Sequence, residues 1–275
     1  MCSILISLGF YIIKVDLKRF VVKVAWITGG GTGIGAELTK ILVSNGWKVA
    51  VSGRRIDKLK EIEAFNQHNI FSYKLDVSSE KECENVVKKI ISNFGKIDLA
   101  ILNAAAYNPG HLNFKNLSKI KSVVDSNLMG QIYCLSNVLP LMESNRSGHI
   151  VFVSSPAGFR GLPNAGIYGV TKSALTFLAE SIYLESLDSS IKVQVIHPGF
   201  IKTPMTDKNT FPMPFLMSSK EAAKRIYKNL FTSNFEIYFP KRLIIPMKIL
   251  SIIPYKLYFF IMSKVLKNAI KLPPK

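Results

Sequence analysis

Lys23-Val24-Ala25-Trp26-Ile27-Thr28, followed by Gly29-Gly30-Gly31-Thr32-Gly33-Ile34-Gly35, is the stretch that decides the fold. The first six residues read as a buried strand. Ile34–Asn45 reads as a helix, with Gly46 as its stop. Glycines between strand and helix permit a tight turn and let the backbone approach a phosphate. The helix N-terminus behind them offers free N–H groups and a partial positive charge. A glycine-rich string alone is a weak signal, but this position, in the first strand–helix crossover, points to pyrophosphate binding.

Outward from that turn the pattern repeats. Strands are expected at Lys48–Ser52, Ile70–Leu75, Ile97–Leu102, His149–Val153, Lys192–Ile196 and Glu236–Phe239. Helices are expected at Asp57–Gln67, with Asp57 as N-cap, and at Ser79–Phe94, closed by Gly95. Further helices fall at Lys119–Glu143, Ala165–Ser186 and Lys220–Phe231. Near-continuous apolar strands alternating with helices predict an α/β fold, a doubly wound parallel sheet (Rossmann fold) in a single domain. Ligands in such sheets sit beyond the carboxyl ends of the strands, so the residues following each strand are the ones to inspect.

The second strand ends Ser52-Gly53-Arg54-Arg55. An acid near this point holds the ribose hydroxyls of NAD, whereas arginine accommodates the 2′-phosphate of NADP. Gly53 stands where the acid is expected and two arginines follow. Guanidinium is permanently charged and binds phosphate bidentately, so NADP(H) is expected over NAD(H).

The fifth strand ends Val153-Ser154-Ser155, thirteen residues before Tyr168, and Lys172 follows four later. Positions i and i+4 share a helix face, so Tyr168 and Lys172 point the same way. A phenol titrates near 10 when unperturbed, about three units too high for ready proton exchange near neutrality. A neighbouring ammonium is expected to lower that value. Ser155, at a strand's carboxyl end, is placed to hydrogen-bond the reacting oxygen.

With these motifs in hand, residues 22–239 resemble the short-chain dehydrogenase/reductase family. The family's Thr-Gly-x-x-x-Gly-x-Gly motif matches Thr28, Gly29, Gly33 and Gly35, with Gly31, Thr32 and Ile34 in the same turn. Its adenine-side acid matches Asp76, followed by Val77, and its helix asparagine matches Asn127. The Asn-Asn-Ala-Gly motif is only partly present, as Leu102-Asn103-Ala104-Ala105. The turn near the nicotinamide matches Pro198, Gly199 and Thr203, with Ile201 between. The resemblance implies a catalytic set of Asn127, Ser155, Tyr168 and Lys172. Tyr168 would exchange the proton at the substrate oxygen and Ser155 would orient that oxygen. Lys172 would lower the tyrosine pKa and bind the nicotinamide ribose, and Asn127 would hold a relay water. Tyr168 and Lys172 count among the cofactor contacts with the motif residues above. Hydride would pass directly between cofactor and substrate carbon, without a metal. The family also implies a homodimer or homotetramer through the helices containing Asn127 and Tyr168.

Two segments are expected to line the substrate pocket: Pro156–Asn164, and the mobile lid Phe200–Met217 with Met205, Phe211, Met213, Phe215, Leu216 and Met217. Their apolar character favours a hydrophobic ketone or alcohol. Residues 1–21 read as an extension, too short in apolar length for a span of roughly 20 residues and lacking a signal-peptide n-region. The net charge is +18, and Lys208–Lys275 holds thirteen Lys/Arg against Glu221 and Glu236. Residues 241–275 form a basic apolar tail, with Lys241, Lys248, Lys256, Lys264 and Lys267 among Ile, Leu and Phe. It fits a segment lying on an anionic membrane surface, packing beside the substrate pocket, or packing on a partner subunit. No recognition-helix, zinc or RNA-binding signature accompanies the charge, so nucleic-acid binding is not expected. Three scattered cysteines suit a cytoplasmic setting, and the four histidines read as structural or exposed. Two functions compete: a carbonyl/alcohol oxidoreductase, and a regulatory protein that senses NADP(H) without turnover. The intact Ser155, Tyr168 and Lys172 favour the first.

Overall fold

The computed structural model of the chain describes residues 3–8, 11–16, 22–110, 114–209 and 211–269, with side chains from residue 22 to 265 within those ranges. The reading of 1–21 as an extension therefore falls largely outside the described residues. Only the backbone of an antiparallel pair, β1 (Ser3–Leu8) and β2 (Tyr11–Asp16), is placed there.

The strand expected before the glycine turn is β3 (Val24–Thr28), buried throughout. It pairs in parallel with β4 (Lys48–Gly53) on one side and β6 (Leu99–Leu102) on the other. β5 (Ile70–Lys74) lies outside β4. On the other side β6 is followed by β7 (Gly148–Val153), β8 (Ile191–Pro198) and β11 (Glu236–Phe239). The order β11-β8-β7-β6-β3-β4-β5 reverses direction at β3, which opens a crevice beyond the carboxyl ends of β3 and β6. The doubly wound parallel sheet expected from the alternation is the fold observed.

Because side chains alternate across a strand, each sheet face has its own core. Ile27, Val49, Val51 and Ile101 meet α1 (Gly33–Ser44) and α7 (Ser219–Leu230) on one face. Trp26, Ala50, Ala100 and Phe152 meet α3 (Glu80–Phe94), α5 (Gly130–Ser144) and α6 (Gly166–Glu185) on the other. Trp26 is fully buried, and its indole N–H donates to Ser52 Oγ at 2.8 Å. Its burial removes on the order of 200 Å² from water, worth about 5 kcal/mol. The thiols of Cys83 and Cys134 lie 3.7 Å apart, free and buried, between α3 and α5.

Local signals hold at several boundaries. Ser79 caps α3 through Glu82 N–H, and Gly95 ends it in the left-handed region at φ 74°. Elsewhere the structure corrects the expectation. Helix α2 runs Ile56–Glu63, so Asp57 lies in its first turn and Arg55 is the N-cap. It stops short of Gln67 because the chain turns at Asn66, whose carbonyl accepts from Asn69 and Ile70. The helix expected over Lys119–Glu143 begins as α4 (Leu117–Val124), capped by Asn116, and continues into α5 through a π-helical turn, Asp125–Met129. Strand β8 extends past Ile196 because β11 pairs with His197 and Pro198. The tail contributes two helices, α8 (Lys241–Ile252) and α9 (Tyr255–Ala269). Among the described residues no helix is long and apolar enough to cross a membrane.

Candidate active site

A cleft of about 770 Å³ opens beyond the carboxyl ends of the central strands. At one end it meets the glycine turn. Helix α1 begins after Thr32, which makes no side-chain cap, and its first turn holds no acid. Its leading N–H groups therefore remain available to an anion. Gly33 has φ 60°, a region that β-carbon sterics make costly, and a Cβ there would meet the Thr203 methyl at 3.0 Å. A Cβ on Gly35 would lie 2.5 Å from the Gly29 carbonyl oxygen. Gly33 is required by its left-handed φ and Gly35 by close approach of backbone, and the cradle they leave fits a pyrophosphate.

The turn is locked to β6 by two side chains. Asn103 Nδ2 donates to the carbonyls of Thr28 (3.0 Å) and Gly29 (3.1 Å). Thr28 Oγ1 accepts from the N–H groups of Asn103 and Ala104, both at 3.0 Å. The retained Asn103 thus does the bracing even though its neighbours depart from the family motif. Gln131 Nε2 adds a bond to the Ala104 carbonyl at 2.5 Å.

Around the cradle the cleft is lined by Gly29, Gly31, Thr32 and Ile34, by Arg54 and Arg55, and by Asp76 and Val77. Arg55 Nη2 donates to Thr32 Oγ1 at 3.2 Å, so an arginine already bridges the end of β4 to the phosphate turn. Asp76 is oriented by the Ser78 hydroxyl (2.7 Å) and backbone N–H (3.1 Å). Pro198, Gly199, Ile201 and Thr203 line it as well, with Thr203 beside Gly33. Two expected cofactor residues, Thr28 and Gly35, sit behind the lining as bracing and packing positions rather than at its surface.

Ser155, Tyr168 and Lys172 come together in the wall of the cleft. Lys172 is 1% exposed, and burial pushes it down to about 7. Its ammonium donates to the Val153 carbonyl at 2.7 Å and lies 5.6 Å from the Tyr168 ring centre. Tyr168 is pushed up to about 12, chiefly by desolvation. The Ser155 hydroxyl hydrogen-bonds the phenol and works the other way, and Tyr107 raises the value further. This reverses the direction expected from spacing alone: desolvation dominates, and Lys172 is not among the groups that shift the phenol.

Asn127 lies in the π-helical turn, the kind of distortion that gathers at functional sites. Its Oδ1 accepts from Ala106 N–H at 2.6 Å, and its Nδ2 donates to the Ala106 carbonyl (2.9 Å) and Thr171 Oγ1 (3.2 Å). The side chain is spent on bracing the loop after β6 against α6, and it does not line the cleft. The relay-water role that the resemblance gives Asn127 is separate from these side-chain bonds, which fix the residue between the loop and α6.

Sequence reasoning missed several parts. Tyr107 packs edge-on against Tyr168, with ring centres 4.9 Å apart, and its hydroxyl donates to Asn209 Oδ1 at 2.8 Å. Its place just after Asn103-Ala104-Ala105 was the available signal. Leu243 and Met247 of α8 line the cleft, so the tail packs beside the pocket, one of the three placements left open. Arg160 holds it there. Its Nη1 donates to the carbonyls of Leu250 (2.8 Å), Ser251 (3.1 Å) and Ile253 (2.6 Å), and its guanidinium faces Tyr255 and Tyr258.

The lid segment is pinned at both ends, since β9 (Ile201–Lys202) pairs with β10 (Met217–Ser218). Of its expected pocket residues Met205 and Phe211 line the cleft, whereas Met217 is buried in the core against α7. Met213, Phe215 and Leu216 do not line it; Phe215 lies under the Arg242 guanidinium instead. His149 and His197 are buried. His149 meets Gln194 at 2.9 Å, and His197 Nδ1–H donates to Glu236 at 2.7 Å. His68 is exposed and His111 falls outside the described residues. Among the described residues no three His, Cys, Asp or Glu side chains gather as a metal centre would require.

The comparisons agree with this geometry. The short chain dehydrogenase family's sequence model matches residues 23–212. An uncharacterized oxidoreductase of Myxococcus xanthus is 32% identical over 241 residues, covering 86% of this chain and 94% of that protein. One from Staphylococcus haemolyticus is 33% identical over 190 residues, covering 69% and 82%. The structure of ElxO with NADP bound is 28% identical at a TM-score of 0.71, covering 79% of this chain and 98% of that one. A short-chain dehydrogenase from Streptomyces avermitilis has a TM-score of 0.77 at 20% identity, covering 90% and 98%, and speaks for the fold alone. The chain belongs to the short-chain dehydrogenase/reductase family of oxidoreductases.

Proposed function

We propose that this protein uses NADP(H) to interconvert a carbonyl and an alcohol on a hydrophobic substrate, working as a reductase. The observation that carries the reading is Tyr168. It stands in the cleft, hydrogen-bonded by Ser155, and is held as a neutral phenol with its pKa near 12. A neutral phenol is the form that donates a proton to a carbonyl oxygen becoming an alcohol. Ser155 would donate a second hydrogen bond to that oxygen and offset the charge that develops on it. When bound, the nicotinamide supplies the hydride.

Gly29, Gly31 and Gly33 with the α1 N-terminus would hold the pyrophosphate, and Arg54 and Arg55 the 2′-phosphate. No acid stands at the end of β4, which favours NADP(H) over NAD(H). The substrate end of the cleft is lined by Leu162, Phe200, Met205, Phe211, Leu243 and Met247, which suits an apolar ketone or aldehyde. On α6, Val170, Phe177 and Leu184 are 61%, 72% and 64% exposed at seven-residue spacing. That stripe supports pairing with a second copy, giving a homodimer or homotetramer. The free buried thiols fit the reducing cytoplasm.

The test is NADPH and NADH oxidation by the purified protein against a panel of hydrophobic ketones and aldehydes. NADPH-dependent turnover is expected. Tight NADPH binding with no turnover on any of them would turn the reading toward an NADP(H) sensor.

A pH dependence follows from Lys172. Its charged form is present below about 7 and lost above it. At limiting cofactor, kcat/KM for NADPH reports the ionisations of the free protein. It is expected to fall about tenfold per pH unit above the lysine's pKa, the limiting slope for loss of one proton. A plateau extending to about pH 9, toward the unperturbed lysine value, would show that the Lys172 charge is not needed.

A further inference from the structure

Helix α8 has two faces. Ile244 is buried, and Leu243 and Met247 turn into the cleft. On the opposite face Ile245, Ile249 and Ile252 follow one another at helical spacing and are 42%, 55% and 81% exposed. Helix α9 continues the exposure with Leu257, Phe259 and Phe260 at 48%, 60% and 55%. Large aliphatic and aromatic side chains clustered at this density on a surface mark an interaction site.

Charge identifies the partner. Residues 241–275 contain Lys241, Arg242, Lys248, Lys256, Lys264, Lys267, Lys271 and Lys275, and no Asp or Glu. Lys248 is spent internally on Glu236, while Lys241, Arg242, Lys256 and Lys264 are exposed beside the apolar side chains. Against a second copy of itself this face would set cation against cation, a repulsive arrangement. Against an anionic lipid surface both features are satisfied together: isoleucines and phenylalanines enter the acyl boundary and lysines meet the headgroups.

Both helices are also anchored to the body of the protein near their junction. Arg160 caps the α8 carbonyls of Leu250 and Ser251 as well as that of Ile253. The Tyr258 hydroxyl donates to the Gly161 carbonyl at 2.6 Å. The lipid-facing stripe and the cleft wall are thus opposite sides of one helix, fixed to the loop that follows Ser155.

We propose that the exposed apolar faces of α8 and α9 dock this protein peripherally on an anionic lipid surface, with the cleft beside them. The docking is independent of the reductase reading and is tested without an activity readout. The full chain would be sedimented with vesicles of phosphatidylcholine alone and with vesicles containing phosphatidylglycerol, at low and high salt. Binding is expected to the anionic vesicles, weakened by salt. Ile245→Gln, Ile249→Gln and Ile252→Gln combined is expected to lower partitioning by about tenfold or more. Lys256→Glu with Lys264→Glu is expected to erase the preference for anionic lipid. Thermal unfolding at the wild-type temperature shows that the variants are folded. Three results would overturn the proposal: no sedimentation of the wild type, undiminished binding by the triple variant, or a triple variant that binds vesicles normally but loses self-association in size-exclusion chromatography. The last would assign the face to a second copy instead.

Discussion

Tyr168→Phe is expected to lower kcat for carbonyl reduction by about 10²–10⁴-fold, the usual worth of a positioned general acid. The phenylalanine keeps the ring, which packs edge-on against Tyr107 at 4.9 Å between centres, and removes only the hydroxyl that Ser155 hydrogen-bonds. No buried donor is stranded, because Ser155 is only partly buried and lines the cleft, where its hydroxyl can turn to solvent. The fold and the cofactor cradle lie outside the change, so NADPH affinity should hold. Steady-state kinetics beside a fluorescence titration with NADPH separates the two. A variant that binds NADPH and turns over at wild-type rate would remove Tyr168 as the proton donor.

Arg54→Gln combined with Arg55→Gln is expected to raise the Kd for NADPH by about 10²-fold and leave that for NADH nearly unchanged. A hydrogen bond to a charged group contributes about 1.5–3 kcal/mol. Both arginines are exposed, so screening places each at the low end; two of them give about 3 kcal/mol, or 10²-fold. Arg55 also bridges to Thr32 at 3.2 Å, and a loosened phosphate turn would weaken both cofactors equally. Titrating both cofactors tells the effects apart. Equal losses for NADPH and NADH would mean that the arginines hold the turn rather than the 2′-phosphate.

The outline of the fold was legible because its signals are local. The apolar run Val24–Thr28, the glycines after it and the Gly95 stop each act over a few residues, and each is found in place. What misled were segments whose ends depend on distant partners. Met217 looked like a lid residue, but pairing of β10 with β9 draws it into the core. Asp57 looked like a cap, but Arg55 takes that position because the chain leaving β4 is already extended there.

The candidate site divides in the same way. Residue type and spacing alone put Ser155, Tyr168 and Lys172 in one place, because thirteen and four residues on a strand–helix unit leave little freedom. The same holds for the glycine cradle and for Arg54 and Arg55 at the end of β4. Only the tertiary structure decided their protonation. Burial raises the phenol and lowers the ammonium, and desolvation is a sum over everything packed around a group, which no spacing encodes. Only the tertiary structure, too, brought Tyr107 and Met247 to the cleft and Arg160 to the tail. Arg160 and Leu250 are ninety residues apart in sequence and 2.8 Å apart in space, a contact made when the tail folds back across the sheet's carboxyl edge.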